Sequence, residues 1–405
     1  MSKVALITLH TVSNYGSCLQ TFATQKLFES LGWEVEVIDY YRADNLPEYA
    51  VEKAFMGRRM QKFQGIWDRA PWLKRLLSIP MGAIVKRQRK PFDNFRRKYL
   101  NLSKRMYRSA DELELDPPVA DVYCTGSDQV WNSVWNNGFE KPFYLTFAPE
   151  GKPRIAFAAS IGRNEVDDWE KPLMKEALSQ YKAISMRESS GIEILNDLGF
   201  NDAQLVLDPT LMLNRHEWEK IGRMPEGIDG PYLLVYQLNK SKSFVDYVEA
   251  VAKQYGLNVV KISYGIYDVM KSAKTLIAPS VEEFVGLFLN ASYVITDSFH
   301  ATAYSLNFGI PFTAIAPERF STRIASVLAL TGTEDRMLNS QQDIAMYERQ
   351  IDFEYAAEKL DEMRKKSVAF LEEALLVWEK SHLTARVLDF FRLRNRLVSF
   401  SWVAR

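Results

Sequence analysis

Short apolar runs alternate with longer amphipathic stretches along the first forty residues. Residues 3–9 form a nearly continuous apolar run, residues 19–31 place apolar side chains at helical spacing, and residues 34–40 alternate apolar and polar positions. Gly32 follows the helical stretch, where a glycine commonly ends a helix. The pattern predicts a strand, a helix and a second strand, which together form one βαβ unit.

The alternation continues through two further parts of the chain. In the first, the predicted strands are 119–125, 154–159, 183–186 and 204–207, and the predicted helices are 170–181 and 189–197. In the second, the predicted strands are 232–237, 258–262, 293–296 and 312–315, and the predicted helices are 242–255, 280–290, 301–308 and 323–330. Strands that alternate with helices favour parallel sheets, so the pattern predicts two Rossmann-like α/β domains.

These elements divide the chain into three parts. Residues 1–207 are predicted to form an N-terminal Rossmann-like domain with a basic helical insertion at about 48–108. Residues 208–340 are predicted to form a C-terminal Rossmann-like domain that begins with a hinge at 208–231, and residues 341–405 a helical segment. A chain of 405 residues can bury two cores, and the cleft between them is the expected ligand site.

Composition narrows the class of protein. Hydrophobic residues make up 47% of the chain and charged residues 25%, as in an ordinary globular protein. The two cysteines, Cys18 and Cys124, form no CxxC pair, so we expect neither a disulfide scaffold nor a zinc site, and a cytoplasmic location. No secretory signal peptide is predicted, and no apolar run approaches the roughly 20 residues of a membrane-spanning helix.

Charge is balanced over the chain but not along it. Lys plus Arg and Asp plus Glu both number 51, yet Asp68 and Asp93 are the only acidic residues among the many Lys and Arg of 53–108. A second basic and aromatic stretch, ARVLDFFRLRNRLVSFSWVAR, occupies residues 385–405. Such helices favour contact with an anionic membrane surface. The alternative is that they pack their aromatic residues on the protein body. Nucleic acid is not expected, since neither stretch contains a recognisable binding motif.

The sequence TDSFHATAY joins a predicted strand to a predicted helix. It places Asp297, Ser298 and His300 beside the free N–H groups and the positive dipole end of that helix, where anions bind. His300 is therefore a candidate for binding an anion or for moving a proton. The alternative is that Asp297 or Ser298 only caps the helix and that His300 packs beside it.

Two other predicted turns carry groups suited to an anionic ligand. Asn14 and Gly16 precede the first helix, and Gly16 would let the backbone approach a ligand closely. The turn is not a GxGxxG motif, so a dinucleotide site is not supported. Arg187 in SMRESSG follows a predicted strand, and its guanidinium matches phosphate or carboxylate. The alternative is a salt bridge to Glu188 or Asp208.

A further turn, GSDQVWN, combines polar and aromatic residues. Ser127, Asp128 and Gln129 offer a hydroxyl, a carboxylate and an amide directly after a predicted strand. Trp131 and Trp135 follow, and aromatic faces beside polar groups are typical of sugar binding. The alternative is that the tryptophans belong to the core and that Ser127 or Asp128 caps a helix.

Two other chemistries are not predicted. No GxSxG motif precedes Ser298, so a hydrolase that uses a serine, a histidine and an aspartate is not supported. The four histidines show no metal-ligand spacing, so no metal site is expected.

Each of these motifs is a weak signal alone, but their order along the chain is a strong one. NYGSCLQTFATQKLFESLGWEVEVIDY, GSDQVWN, ISMRESSG, LDPTLML and TDSFHATAYSLNFGIPF follow one another between about residues 3 and 337. In this order the chain resembles the polysaccharide pyruvyl transferase family. The resemblance implies a fold similar to GT-B glycosyltransferases, phosphoenolpyruvate as donor, and a sugar of a surface-polysaccharide precursor as acceptor. The implied product is a pyruvate ketal across two hydroxyls, with phosphate released.

The resemblance also implies roles for residues. Family members hold the donor's phosphate and carboxylate with an arginine that matches Arg187 and a histidine that matches His300. Many also have an arginine two residues before that histidine, in an S-R-x-H pattern, where this chain has Ser298. We expect Arg319 or Arg323 to supply the missing charge.

The predicted site residues fall into two groups. The candidate catalytic residues are His300, as phosphate ligand or proton donor, and Asp128 and Asp297, as bases. The candidate substrate-binding residues are Arg187, Ser298, Asn14, Gly16, Ser127, Gln129 and Arg323. No cofactor is expected beyond phosphoenolpyruvate as donor substrate.

The acceptor is expected to be lipid-linked or a polymer precursor, with the protein cytoplasmic and peripheral at the inner face of the membrane. Two other functions remain open from the sequence: a GT-B glycosyltransferase that uses a nucleotide sugar, and a non-catalytic protein that binds a sugar or an anion.

Overall fold

The fold was determined as a computed structural model. It describes residues 2–56, 64–69, 71–265, 268–316, 322–338 and 343–400, with side chains described except at 64, 67, 68, 71 and 377–400. Its strands and helices form two α/β domains, each built on a parallel sheet. This confirms the predicted fold class.

The N-terminal domain is built on a parallel sheet with the strand order β3-β2-β1-β4-β5-β6-β7. Its strands are β1 (Lys3–Ile7), β2 (Glu34–Tyr40), β3 (Leu102–Tyr107), β4 (Val122–Thr125), β5 (Arg154–Ala159), β6 (Tyr181–Met186) and β7 (Gln204–Leu205). The central strands β1 and β4 are apolar and buried, because helices cover both faces of a parallel sheet.

The C-terminal domain repeats this architecture with the strand order β10-β9-β8-β11-β12-β13, again parallel throughout. Its strands are β8 (Leu233–Tyr236), β9 (Val259–Ser263), β10 (Lys274–Ile277), β11 (Tyr293–Thr296), β12 (Phe312–Ile315) and β13 (Met337–Leu338). In each domain the order reverses beside the first strand, which is where open α/β sheets form ligand clefts.

The helices lie between these strands and after them. They are α1 (Tyr15–Ser30), α2 (Ala50–Met56), α3 (Gln64–Arg69), α4 (Pro71–Tyr99), α5 (Ala110–Leu115), α6 (Ser133–Asn136), α7 (Glu170–Leu178), α8 (Ser189–Asp197), α9 (Pro209–Met212), α10 (Arg215–Glu219), α11 (Lys242–Tyr255), α12 (Val281–Leu289), α13 (Phe299–Phe308), α14 (Thr322–Thr331) and α15 (Phe353–Phe400). None of the described helices has a stretch long and apolar enough to cross a bilayer.

Three edge strands were missed by the sequence analysis. β3 lies inside the stretch 48–108, which was predicted to be a helical insertion, and it pairs with β2 at the sheet edge. The short strands β10 and β13 close the two edges of the second sheet. Edge strands are often short and polar, so their hydrophobic pattern is weak.

The predicted hinge at 208–231 connects the two domains, but its first half is not a loop. It folds into α9 and α10, and the Trp218 side chain is completely buried, with its indole N–H donating to the Thr210 carbonyl. An apolar cluster continues from the N-terminal domain through this connection into the C-terminal domain. The domains therefore share one packed interior.

The long helix α15 joins the two domains a second time. The Ser367 hydroxyl accepts a hydrogen bond of 3.0 Å from the Leu207 amide, and the Phe370 ring stacks on Phe157 of β5. Arg364 donates to the Leu211 carbonyl at 2.8 Å. The helix continues to Phe400, but the side chains of the basic stretch 385–405 lie outside the described residues.

Candidate active site

A cavity of about 190 Å³ opens between the two domains. It lies at the carboxyl ends of β1, β4 and β11 and at the start of α13, so both sheets contribute the turns that follow their strands. Its lining residues are Leu9, Val12, Asn14, Ser17, Arg42, Asp128, Gln129, Trp135, Asn136, Leu238, Ser298, Phe299, His300 and Arg323. This position is the usual ligand site of an open α/β sheet.

The structure separates the predicted site residues into two layers. Asn14, Asp128, Gln129, Ser298, His300 and Arg323 line the cavity. Gly16, Ser127, Arg187 and Asp297 are in the layer of residues behind it, as the following contacts show. Arg319 lies outside the described residues.

His300 is held against the first turn of α1. A Cβ atom built on Gly16 would lie 2.0 Å from the His300 Nδ1 atom, so only glycine allows this approach. The sequence analysis predicted that Gly16 lets the backbone approach a ligand closely; in the structure it approaches the imidazole of the other domain. Gly16 thus brings His300 to the start of α1.

The imidazole of His300 is neutral near pH 7. Burial lowers the pKa of His300 to about 4, and the nearby carboxylate of Asp208 only partly offsets this. Its Nε2 atom is buried, and none of the described residues offers it a hydrogen-bond partner. A buried polar atom without a partner is costly, so a ligand atom that binds Nε2 would be stabilised.

Arg187 is neutralised by carboxylates. Its side chain is fully buried, with Nη1 2.5 Å from Asp208 Oδ2 and Nη2 3.2 Å from Asp128 Oδ1. Burial would raise the pKa of Asp128, but the charges of Arg187 and nearby groups lower it to about 2. The salt-bridge alternative, which included Asp208, thus describes the contacts of Arg187. Its role in donor binding stays a prediction.

Ser127 belongs to the same buried network. Its hydroxyl lies 3.3 Å from both Arg187 Nη1 and Asp208 Oδ2, and its carbonyl accepts from the Thr8 hydroxyl at 2.6 Å. Asp128 adopts a positive φ of 70°, which aspartate tolerates better than most residues. The backbone there turns sharply, and the carboxylate stays between Arg187 and the cavity.

Arg323 supplies a second guanidinium, on the cavity wall. The guanidinium carbon lies 5.7 Å from the centre of the Phe299 ring, and that of Arg187 lies 5.1 Å from the same ring. The Arg323 Nε atom is buried and has no hydrogen-bond partner in the part of the chain that the structure describes. Burial, followed by the charge of Arg187, lowers the pKa of Arg323 to about 10, so this side chain remains cationic near neutral pH.

Asp297 has a different geometry from the one predicted. Its carboxylate accepts hydrogen bonds from the backbone amides of Leu238 (2.6 Å) and Asn239 (2.7 Å), and from the Asn239 side chain (3.1 Å). Burial raises its pKa. These contacts fix the turn after β8 and occupy both oxygens, so the geometry favours a positioning role over that of a base.

Asn14 and Ser298 cap helices and also line the cavity. Asn14 Oδ1 accepts from the Ser17 amide at 3.2 Å, and Ser298 Oγ accepts from the Ala301 amide at 3.5 Å. The capping alternative is therefore correct for Ser298, and Asn14 caps α1 in the same way; both residues still line the cavity. Two helix N-termini consequently meet at the cavity, where they favour an anion.

The residues of the GSDQVWN turn divide between cavity and core. Gln129 lines the cavity, and its Oε1 accepts from Asn132 at 2.7 Å. Trp131 is buried, and its indole stacks on Tyr144. Trp135 lines the cavity with 54% of its surface exposed. The core alternative holds for Trp131 alone.

Arg42 is a cavity residue that the sequence analysis missed. Its Nη1 donates to the Trp135 carbonyl at 2.8 Å and to Asn136 Oδ1 at 2.7 Å. A signal was present, because Arg42 follows β2 at the same sheet edge as the other turns. In the part of the chain that is described, no group of three or more His, Cys, Asp or Glu could hold a metal ion.

Two parallel-sheet domains with a cationic cavity between them define a two-domain α/β protein of the GT-B kind. The sequence profile of the family described as polysaccharide pyruvyl transferase matches residues 14–319. The chain therefore belongs to the polysaccharide pyruvyl transferase family, as its motifs predicted. No curated protein matches it in sequence.

Solved structures with related folds are distant in sequence. A UDP-N-acetylglucosamine 2-epimerase has a TM-score of 0.50 and 11% identity, over 94% of this chain and 96% of that one. The UDP-GlcNAc 2-epimerase from Neisseria meningitidis bound to UDP-GlcNAc has a TM-score of 0.47 and 10% identity, over 93% of this chain and 100% of that one. A spinosyn rhamnosyltransferase has a TM-score of 0.44 and 13% identity, over 92% of this chain and 99% of that one. At these identities the likeness concerns the fold.

Proposed function

We propose that the protein transfers pyruvate from phosphoenolpyruvate to two hydroxyls of a sugar and releases phosphate. One observation carries this proposal: two buried nitrogen atoms, His300 Nε2 and Arg323 Nε, have no hydrogen-bond partner among the described residues and belong to side chains that line one cavity. The N-termini of α1 and α13 meet there as well. Phosphoenolpyruvate carries about three negative charges near neutral pH and fits such a set of donors.

The reaction follows from the chemistry of the donor. A proton added to the methylene carbon of phosphoenolpyruvate leaves an oxocarbenium-like centre at C2. One sugar hydroxyl attacks C2 and loses its proton, and phosphate departs. The second hydroxyl then attacks C2, loses its proton and closes the ketal. The site must supply one proton and accept two: one leaves with the phosphate, and the other returns to the group that protonated the methylene carbon.

His300 is the proposed proton donor. Because the imidazole is neutral near pH 7, it must gain its proton as phosphoenolpyruvate binds. Arg323 would bind the phosphate or the carboxylate and so supply the charge that Ser298 cannot. Asp128, with a pKa of about 2, is too weak a base to remove a proton efficiently, but its carboxylate can accept a hydrogen bond and orient a hydroxyl.

The acceptor would bind at the open side of the cavity. Trp135 lines the cavity with 54% of its surface exposed, and Gln129 adds an amide group. Aromatic faces with amides at their edge suit a sugar ring, since the ring's C–H face packs on the indole while its hydroxyls form hydrogen bonds. The acceptor is thus proposed to be a sugar of a polysaccharide precursor, lipid-linked or polymeric.

Calorimetric titration with phosphoenolpyruvate tests the donor. The wild type should bind it saturably, and Arg323→Gln and His300→Gln should each weaken binding by about tenfold or more, the usual effect of losing a charge-assisted hydrogen bond. Arg223→Gln removes an arginine with a largely exposed side chain and should leave binding unchanged. An acceptor-dependent release of phosphate would then establish the transfer.

Two results would contradict the proposal. If a nucleotide sugar binds in the cavity and phosphoenolpyruvate does not, the protein is a glycosyltransferase. If phosphoenolpyruvate binds but no sugar acceptor leads to phosphate release, the protein binds the anion without transferring pyruvate.

A further inference from the structure

The helix α4 carries an exposed face that the proposed reaction does not use. Trp72, Leu76 and Ile79 are 69%, 59% and 75% exposed, and they follow one another at helical spacing. Farther along the same helix, Lys86 and Lys90 are exposed on the same side. We call these five residues the outer face of α4.

The other end of α4 explains how this face is held. Phe92 and Phe95 are completely buried, and the Phe92 ring lies 4.9 Å from that of Tyr15 in α1. The helix is thus anchored through its C-terminal part, whereas its N-terminal part presents large apolar side chains to solvent. The sequence allowed two interpretations of this segment, membrane contact or packing on the protein body. In the structure the C-terminal end of α4 packs on the body, and its N-terminal end is exposed.

Charge indicates what covers the outer face. Of the basic side chains on α4, Arg75, Lys86, Arg87 and Lys90 are exposed, and none lies within 4.0 Å of a carboxylate among the described residues. An uncompensated basic surface beside exposed Trp, Leu and Ile is typical of helices that lie in a bilayer interface. Aromatic and aliphatic side chains enter the headgroup region while Lys and Arg contact anionic lipids.

We infer that the outer face of α4 binds the surface of an anionic lipid bilayer. A second copy of the chain that met this face with its own α4 would bring the same positive charge and would be repelled. Nucleic acid would match the charge but would leave Trp72, Leu76 and Ile79 without apolar contacts. A bilayer with anionic headgroups satisfies both features of the face.

The location of α4 connects this surface to the candidate active site. Val85, Gln88 and Arg89 line a cavity of about 290 Å³ together with Ser13. Ser13 lies between Val12 and Asn14, which both line the candidate active site. A bilayer bound along α4 would therefore hold the interdomain cavity near the membrane. The inference itself does not depend on the identity of the donor or the acceptor.

Vesicle flotation tests the inference with the full chain. The wild type should float with phosphatidylcholine vesicles that contain phosphatidylglycerol, should float poorly with phosphatidylcholine alone, and should be released by high salt. Replacing Lys86, Arg87 and Lys90 by glutamine should weaken binding by about fivefold per charge, because each basic residue near an anionic surface contributes about that factor. Trp72→Ser combined with Leu76→Ser should also reduce flotation by tenfold or more.

Matched variants distinguish specific vesicle binding by the outer face of α4 from nonspecific adsorption. Lys365→Gln with Lys366→Gln removes exposed charge from α15, and Trp169→Ser removes an exposed tryptophan at the start of α7. Both should float like the wild type. Unchanged circular dichroism and an unchanged thermal unfolding temperature would show that the α4 variants are folded.

A labelling experiment locates the contact. Cys18 and Cys124 are both buried, so a cysteine introduced at Ile79 can be labelled with an environment-sensitive dye. The dye at position 79 should report an apolar environment when anionic vesicles are added, and a dye at Glu176→Cys on α7 should not.

Several outcomes would overturn the inference. These are no flotation, equal flotation with both kinds of vesicle, or flotation that the α4 variants do not reduce. Self-association that Trp72→Ser abolishes would assign the face to a second copy of the chain. Salt-sensitive binding of an oligonucleotide in place of vesicles would assign it to nucleic acid.

Discussion

At the scale of single residues, His300 depends on a residue of the other domain. Gly16 admits the imidazole to the start of α1, and burial there lowers the pKa of His300 to about 4. The side chain is therefore neutral until a negative charge arrives. Binding and protonation are coupled at this one position.

The coupling predicts proton uptake when phosphoenolpyruvate binds. Burial keeps the pKa of His300 below its ordinary value, and the bound anion should raise it, so binding at pH 7 should take up a proton. Affinity should then fall as pH rises through the pKa of the complex, by up to about tenfold per pH unit. Titration calorimetry in buffers with different ionisation enthalpies measures the number of protons.

The matched variant is His300→Gln, which should bind phosphoenolpyruvate more weakly and take up fewer protons. The same uptake in this variant would place the proton on the phosphate and remove the proposed role of His300.

At the scale of elements, one buried network joins β4, β6 and the connection between domains. Arg187 follows β6, Asp128 follows β4, and Asp208 begins the connection and caps α9. Three carboxylates surround the guanidinium, since Glu188 Oε2 also lies 3.6 Å from Arg187 Nε. The arginine therefore stabilises the turns that form the cavity.

Replacing Arg187 by methionine should destabilise the fold before it affects a ligand. The buried carboxylates of Asp128 and Asp208 would lose their partner, and the free energy of unfolding should fall by about 3–5 kcal/mol in urea titrations at pH 7. Arg223→Met, at an exposed position, should change it by less than about 0.5 kcal/mol. A loss under about 1 kcal/mol for Arg187→Met would show that the network is not structural.

Acid titration gives a second measurement of the same network. The pKa of Asp128 is lowered to about 2, so its ion pair contributes stability above its ordinary value of 3.8. That contribution should be lost as pH falls through about 2. In Arg187→Met this part of the acid dependence should be smaller, because the pKa of Asp128 would no longer be lowered by the guanidinium.

The elements also show what the sequence could and could not predict. Both parallel sheets, the turn positions and the α/β architecture of the two domains followed from apolar periodicity, because buried strands such as β1 and β11 are mostly apolar. β3 was missed because its sequence LSKRMY is an edge strand inside a basic stretch. Arg42 and the pairing of Arg187 with Asp208 depend on contacts between distant parts of the chain, which one sequence without structure does not specify.

At the scale of the whole molecule, the two domains are not independent units. The Tyr15 ring of the N-terminal domain stacks on Phe284 of the C-terminal domain at 4.3 Å, and its hydroxyl donates to the Pro279 carbonyl at 2.7 Å. The helix α15 adds contacts to both domains through Arg364 and Phe370. Cavity geometry is therefore set by packing that crosses the domain boundary.

This packing predicts a single cooperative unfolding transition. Phe370→Ala empties a buried position between α15 and β5, so it should lower the free energy of unfolding by about 3–5 kcal/mol and move the whole calorimetric peak to lower temperature. Leu376→Ala changes an exposed residue of the same helix and should shift the peak little. Two peaks, of which Phe370→Ala moves only one, would show that the domains unfold separately. One shifted peak would instead show that packing at α15 stabilises both domains together. Changes far from His300 and Arg323 could then alter how tightly the cavity between the domains binds an anion.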